Sequence, residues 1–343
     1  MTKHIKRYTI YIILQKSERG YTMSNAVSLK EMYKDYFKVG AAVNNRCLDR
    51  DKDIILKHFN TVTCEYEMKL AGLRRPDLTF DFANADKIYN FANENGIEVR
   101  GHNLVWHQGI YTDVLESMTK QQLIELMTEH MRTVGERYKK VVCWDVVNEA
   151  ISDDWNGFLR DTVWRRKLGD DYYMTVFRLA REIIPDKTLV YNDFNEYEEP
   201  KRNNIIKLVK QLKTEGLIDA VGMQCHINIL HCTADDIKRS FEEFSKLGLP
   251  IHVTEIDIGL PEMNDPAPLS SMTQEQREQQ ASLYEALFAT MREYSSIIDS
   301  ATVWGVRDSQ SWLNNFRFER ECTALLFDKD GQPTEAFYRI TQF

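Results

Sequence analysis

Cys-x-x-Cys spacing is missing from this chain, although it carries six cysteines: Cys47, Cys64, Cys143, Cys225, Cys232 and Cys322. Several of these lie in apolar runs, where a thiol behaves as a small hydrophobe, which argues against a disulfide framework. The group Cys225, His226, His231 and Cys232 fits none of the usual zinc spacings and reads as structural, so no metal is expected. There is no Gly/Ser/Pro-rich linker, low-complexity tract or solenoid-type repeat at which to divide the chain. No apolar segment is long enough to cross a membrane. Nor is there a block of like charge: the formal net charge of −8 is spread along the chain. That distribution argues against nucleic acid as a partner and suits a neutral substrate.

What remains is a core-forming composition, 43% hydrophobic and 28% charged over 343 residues. This is enough for one large domain, expected over residues 29–343. The start, "MTKHIKRYTIYIILQKSERGYTM", has basic residues and a short apolar stretch from Tyr8 to Leu14, a superficial likeness to an export signal. The apolar stretch is short, and polar residues follow it with no small-residue cleavage pattern. Residues 1–28 therefore read as an N-terminal extension, with Met23 as an alternative start. A cytoplasmic location is expected, with secretion as the alternative.

Short apolar or β-branched runs recur eight times, at 37–43, 60–66, 97–106, 141–149, 188–194, 219–227, 250–258 and 301–306. Amphipathic segments lie between most of them. After Thr119, the apolar residues Leu123, Leu126, Met127, Met131 and Val134 keep helical spacing, and "TKQQ" offers a capping box. Ala281, Tyr284, Leu287, Phe288 and Met291 do the same after Thr273. Continuous apolar strands alternating with helices imply a parallel sheet covered by helices, and eight such units close a (β/α)8 barrel.

In a barrel of this kind the chemistry sits at the carboxyl ends of the strands. Those ends carry Glu65, Glu67 and Lys69; His102, Trp106 and His107; Asn148 and Glu149; Asn192 and Asp193; Gln224 and His226; Glu255 and Asp257; and Trp304 and Arg307. Two carboxylates end strand-like runs with no basic neighbour in sequence: Glu149 in "VVNEA" and Glu255 in "HVTEID". Opposed across a barrel mouth, such a pair is what glycosidic bond cleavage needs. One carboxyl protonates the leaving oxygen and the other meets the developing oxocarbenium ion. Trp144 and Asp145 read as barrel packing and a buried hydrogen-bond partner, and His107 as structural or as a residue backing the site.

Seven segments occur in order: "GHNLVWH", "WDVVNEA", "YNDFN", "VGMQCHI", "VTEIDI", "WGVRDSQSW" and "ALLFDKDGQP". Together they resemble glycoside hydrolase family 10, the endo-β-1,4-xylanases, over roughly residues 29–343. The resemblance implies retaining chemistry on xylan or xylo-oligosaccharides, with Glu149 as acid/base and Glu255 as nucleophile. It places Asn148 on the sugar 2-hydroxyl, His226 on the nucleophile, Asp257 behind that imidazole and Gln224 at the catalytic centre. Glu65, Lys69, His102 and Trp106 match the glycone-binding face, and Trp304 and Trp312 the aromatic walls. Asn192 is a further candidate contact. No cofactor is implied. The same machinery acting on another β-glycan, and a barrel that binds glycans without cutting them, are the alternatives.

The chain departs from the family in one region. Where the family usually reads "ENEMKW", this sequence reads "EYEMKL", so Tyr66 replaces an Asn and Leu70 a Trp. Gly109 stands where a Gln is usual. An aromatic ring cannot reproduce the paired bonds of an amide, so the distal glycone subsite is expected to be altered. Arg307, where a small polar residue is common, is expected near the rim, able to meet an acidic side group on a glycan.

Overall fold

In the computed structural model, residues 27–154, 157–260, 272–315, 319 and 321–343 are described. The expected N-terminal extension lies outside the described residues as far as residue 26. Nine strands are found among the described residues: β1 (Lys38–Val43), β2 (Thr61–Cys64), β3 (Glu98–Gly101), β4 (Val141–Asn148), β5 (Thr188–Asp193), β6 (Ala220–Met223), β7 (His226–Asn228), β8 (Ile251–Gly259) and β9 (Ile298–Val303). All pairings are parallel. The order runs β6-β5-β4-β3-β2-β1-β9-β8, and β6 pairs with β8 to close the ring. Eight strands thus form the (β/α)8 barrel that the apolar runs imply. The sixth run differs in detail: it breaks at Gln224 and Cys225, where Cys225 takes φ of 58°, and resumes as β7 against the upper part of β8.

Strand burial follows from the architecture. Every residue of β2, β6 and β8 is buried, because the barrel core lies on one side and helices on the other. The helix Lys120–Arg137 starts on the expected capping box: the Thr119 hydroxyl accepts from Gln122 N at 3.3 Å and Gln122 Oε1 accepts from Thr119 N at 2.8 Å. Its apolar stripe of Leu123, Leu126, Met127, Met131 and Val134 is buried. Burying a side chain of this size is worth about 1.5–3 kcal/mol, so the stripe and not helix propensity fixes the helix to the sheet. The helix Gln274–Glu293 buries Ala281, Tyr284, Leu287, Phe288 and Met291 in the same way.

Trp144 is fully buried, on the strand face opposite to that of Asp145, within the main apolar core. It fits because Gly101 on the neighbouring strand has no side chain: a Cβ there would stand 2.4 Å from the indole ring. Asp145, also fully buried, accepts from His102 Nδ1 at 2.7 Å and is paired with the buried Arg100. Both residues are packing and support, as their sequence context indicates. All six cysteines are free and buried.

Candidate active site

Two local irregularities aim the carboxylates. The β4–β5 register shifts between Asp145 and Val147, and the β8–β9 register between Val253 and Ile256. Each shift lies just before or at a carboxylate-bearing position, and bulges of this kind re-aim side chains at barrel rims. Glu149 itself follows β4 in a left-handed backbone conformation, φ 58°. For a non-glycine residue that conformation costs of order 1–3 kcal/mol and persists only when its surroundings over-determine it.

A chain of buried amides joins the two carboxylates. Glu149 Oε1 accepts from Asn148 Nδ2 at 3.0 Å and from Gln224 Nε2 at 3.1 Å. Asn148 Oδ1 accepts from Asn192 Nδ2 at 2.8 Å, and the same Asn192 amide donates to Glu255 Oε1 at 2.7 Å. Thr254 Oγ1 fixes the amide orientation by donating to Asn192 Oδ1 at 2.7 Å. Gly222 leaves room for this arrangement, since a Cβ there would lie 2.3 Å from Asn192 Oδ1. The other Glu255 oxygen faces His226 Nε2 at 3.2 Å, while His226 Nδ1 stands 2.9 Å from Asp257 Oδ1. Asp257 Oδ2 accepts from Trp312 Nε1 at 2.8 Å.

These surroundings push the two glutamates in opposite directions. Burial raises the Glu149 carboxyl above its ordinary value, and the negative charges of Glu255 and Asp193 add to this. Burial would raise Glu255 too, but the hydrogen bond from His226 and the nearby His102, His226 and Lys69 together outweigh it, and the carboxyl falls to about 2. Burial opposes the charged form of His226, yet the paired Asp257 and Glu255 hold it well above the ordinary histidine range. At neutral pH the site therefore holds an ionised Glu255, an imidazolium at His226 and a proton-retaining tendency at Glu149.

Several of the residues that the resemblance assigns to the glycone side lie close to Trp106. Lys69 Nζ lies over its ring, 4.3 Å from the centroid, and burial lowers the proton affinity of this amine. Glu65 Oε2 accepts from Asn44 Nδ2 at 2.9 Å. His102 packs edge-on to Trp304 at 5.3 Å, and Trp312 lies 5.3 Å from His226. Tyr66 is 50% exposed, the most open aromatic of the group. Gly109, at φ 60°, sits against Lys69 and Trp106.

Three expectations are corrected. Asn192 is fully buried and spends its amide on Asn148, Thr254 and Glu255, so it holds those side chains in place and does not face the cleft. Arg307 is paired with the buried Asp51 and its side chain is only 13% exposed; a buried carboxylate needs a counter-charge, and this one takes the guanidinium away from the rim. Leu70 is buried in the apolar core at the start of the short helix Leu70–Leu73, so the change from Trp there does not itself open the cleft. Further residues stand beside Glu149. His107 Nδ1 lies 3.9 Å from Glu149 Oε2. Tyr191, Asp193, Arg160 and Lys201 surround the turn that carries Glu149. The period-2 pattern of "YNDFN" was the available signal for Tyr191 and Asp193, which flank Asn192 on the opposite strand face.

Among the described residues no group of three or more His, Cys, Asp or Glu is placed to hold a metal ion, and no helix is long and apolar enough to cross a membrane. A (β/α)8 barrel whose mouth holds one proton-retaining and one ionised glutamate, linked by amides and rimmed by tryptophan, is the arrangement of a glycoside-cleaving enzyme. The model of glycosyl hydrolase family 10 matches residues 28–343, and the chain belongs to that family. The chain is 41% identical over 328 residues to endo-1,4-beta-xylanase A of Caldicellulosiruptor saccharolyticus, covering 92% of this chain and 96% of that protein. Among solved structures, a mutant in complex with xylotriose superposes with a TM-score of 0.88 at 40% identity, over 93% of this chain and 100% of that one. A xylanase from Paenibacillus barcinonensis, complexed with a conduramine derivative, gives 0.87 at 38% identity, over 92% and 98%.

Proposed function

We propose that this protein is a retaining endo-β-1,4-xylanase that hydrolyses xylan or xylo-oligosaccharides by double displacement. The observation that carries the reading is the opposed proton affinity of the two glutamates. A carboxyl near 2 is a poor general base for water at neutral pH but a stable anionic nucleophile, which favours retention over inversion. Glu255 attacks the anomeric carbon while Glu149 protonates the departing oxygen, and a glycosyl ester on Glu255 results. Forming the ester removes one of the negative charges that raised Glu149, so the Glu149 carboxylate left by that proton transfer is stable enough to serve as base. It takes a proton from the attacking water, and the ester is hydrolysed.

Asn148 Nδ2 uses one hydrogen on Glu149 and has a second for the sugar 2-hydroxyl, a bond that strengthens in the transition state. Trp106, Trp304 and Trp312 supply apolar faces to the sugars, and Glu65, Lys69, His102 and Gln224 supply polar ones. The names of the relatives and the xylotriose complex of a structural neighbour support xylose as the sugar. Tyr66 narrows the distal glycone subsite.

The test is product chromatography on xylan, xylotetraose and cellotetraose side by side, with the anomer of the first product followed by proton NMR. Xylan cut to mixed oligomers, with the β-anomer appearing first, is the expected result. Preference for cellotetraose, an α-anomer first, or no cleavage of any of the three would overturn the reading.

A further inference from the structure

The turn that bears Glu149 is held by side chains that touch no reacting atom, and their arrangement goes beyond what packing requires. Glu149, Ala150 and Ile151 leave β4 with a left-handed first residue. Four of their backbone groups end on side chains drawn from elsewhere. Ala150 N donates to the Tyr191 hydroxyl at 3.1 Å, and Ile151 N to Asp193 Oδ2 at 3.3 Å. Ile151 O accepts from Lys201 Nζ at 2.9 Å, and Glu149 O from Arg160 Nε at 3.2 Å.

These side chains are in turn bound to one another. The Tyr191 hydroxyl donates to Asp193, and Lys201 Nζ stands 3.3 Å from Asp193 Oδ1. Lys201 also donates to Asp153 Oδ1 at 2.9 Å, and Arg160 grips the same carboxylate with both guanidinium nitrogens, at 2.7 and 2.9 Å. Tyr191, Asp193 and Lys201 are buried. A buried lysine and aspartate carry a desolvation cost that an apolar pair of equal volume would avoid. What the charged pair supplies and an apolar pair cannot is directional bonding to a strained backbone.

We infer that Tyr191, Asp193, Lys201 and Arg160 form a clamp that positions the proton donor Glu149, so that these four act on the reaction through the backbone of the turn. The inference rests on the role proposed above for Glu149. With the clamp loosened, the turn relaxes away from its left-handed conformation and the carboxyl leaves the line to the glycosidic oxygen. A misplacement of about 1 Å in such a group costs about 10²-fold in rate.

The experiment compares two substrates that differ in their need for a proton. Xylotetraose has a poor leaving group and needs Glu149, whereas 2,4-dinitrophenyl β-xylobioside departs without protonation. For Lys201→Met, kcat/KM on xylotetraose should fall by about 10²-fold through kcat, with KM little changed, while kcat/KM on the dinitrophenyl glycoside stays within about threefold of wild type. Equal losses on both substrates would show a general disturbance of the barrel, and no loss on either would show that the clamp is idle; both overturn the inference. Tyr191→Phe, which removes a single buried oxygen, is made alongside and decides the matter by the same comparison if the lysine variant does not fold. Wild-type protein inactive on both substrates would overturn the proposed function, and the inference with it.

Discussion

Replacing His226 by leucine tests the electrostatic core of the proposed mechanism. Burial on its own pushes the Glu255 carboxyl above its ordinary 4.5, yet in the folded chain it sits at about 2. The interval from 4.5 down to about 2 corresponds to roughly 3 kcal/mol of preference for the ionised form. That figure is a lower bound on what His226 and the nearby cations supply, because they first offset burial. Lys69 remains in the variant, but the hydrogen bond to Glu255 Oε2 at 3.2 Å and the imidazolium charge are both lost. His102 also remains, so the carboxyl rises toward its ordinary 4.5.

The assay is kcat/KM for an aryl β-xylobioside between about pH 3 and 8, with folding at each pH checked by circular dichroism. Since Glu255 must be ionised to attack, wild type should show no acidic limb above about pH 3, and His226→Leu a limb displaced upward toward about pH 4.5. Asp257→Asn should move the limb in the same direction by less. It removes the counter-charge 2.9 Å from His226 Nδ1, lowering the proton affinity of the imidazole while leaving the ring in place. A folded His226→Leu variant whose activity still shows no acidic limb above pH 3 would refute the argument that this imidazole keeps the nucleophile charged.

Arg307→Met should destabilise the fold by about 3 kcal/mol in urea unfolding, the low end of the cost of stranding a buried charge, because Arg50 Nε still stands 3.5 Å from the other Asp51 oxygen. KM for plain and acid-decorated xylan should change equally little, and a selective rise for the decorated polymer would show that Arg307 does reach the glycan. Tyr66→Asn, which trims a half-exposed ring, should raise kcat/KM on linear xylan if the ring crowds the subsite proposed for it. Unchanged or lower activity would mean that the ring stacks on the sugar and does not crowd it.

The sequence alone determined the architecture, because the periodicity that makes a strand or a helix is local. Runs such as Ile251–Gly259 and the stripe from Leu123 to Val134 can be buried in few other ways, and eight alternations leave a closed barrel as the natural solution. It also determined the candidate chemistry, since Glu149 directly follows one apolar run and Glu255 lies within another, where a charge is out of place. What it did not hold was direction. Whether Arg307 faces the cleft or Asp51, whether Asn192 meets a sugar or supports Glu255, and whether Leu70 lines a subsite or the core depend on partners distant in the chain.

The same is true of proton affinity. Glu149 and Glu255 are the same residue type, and in the folded chain one is driven up and the other down to about 2. Burial and charge act over a few ångströms of space, and Asp193, Lys69, His226 and Asp257 come within that range only when the barrel closes.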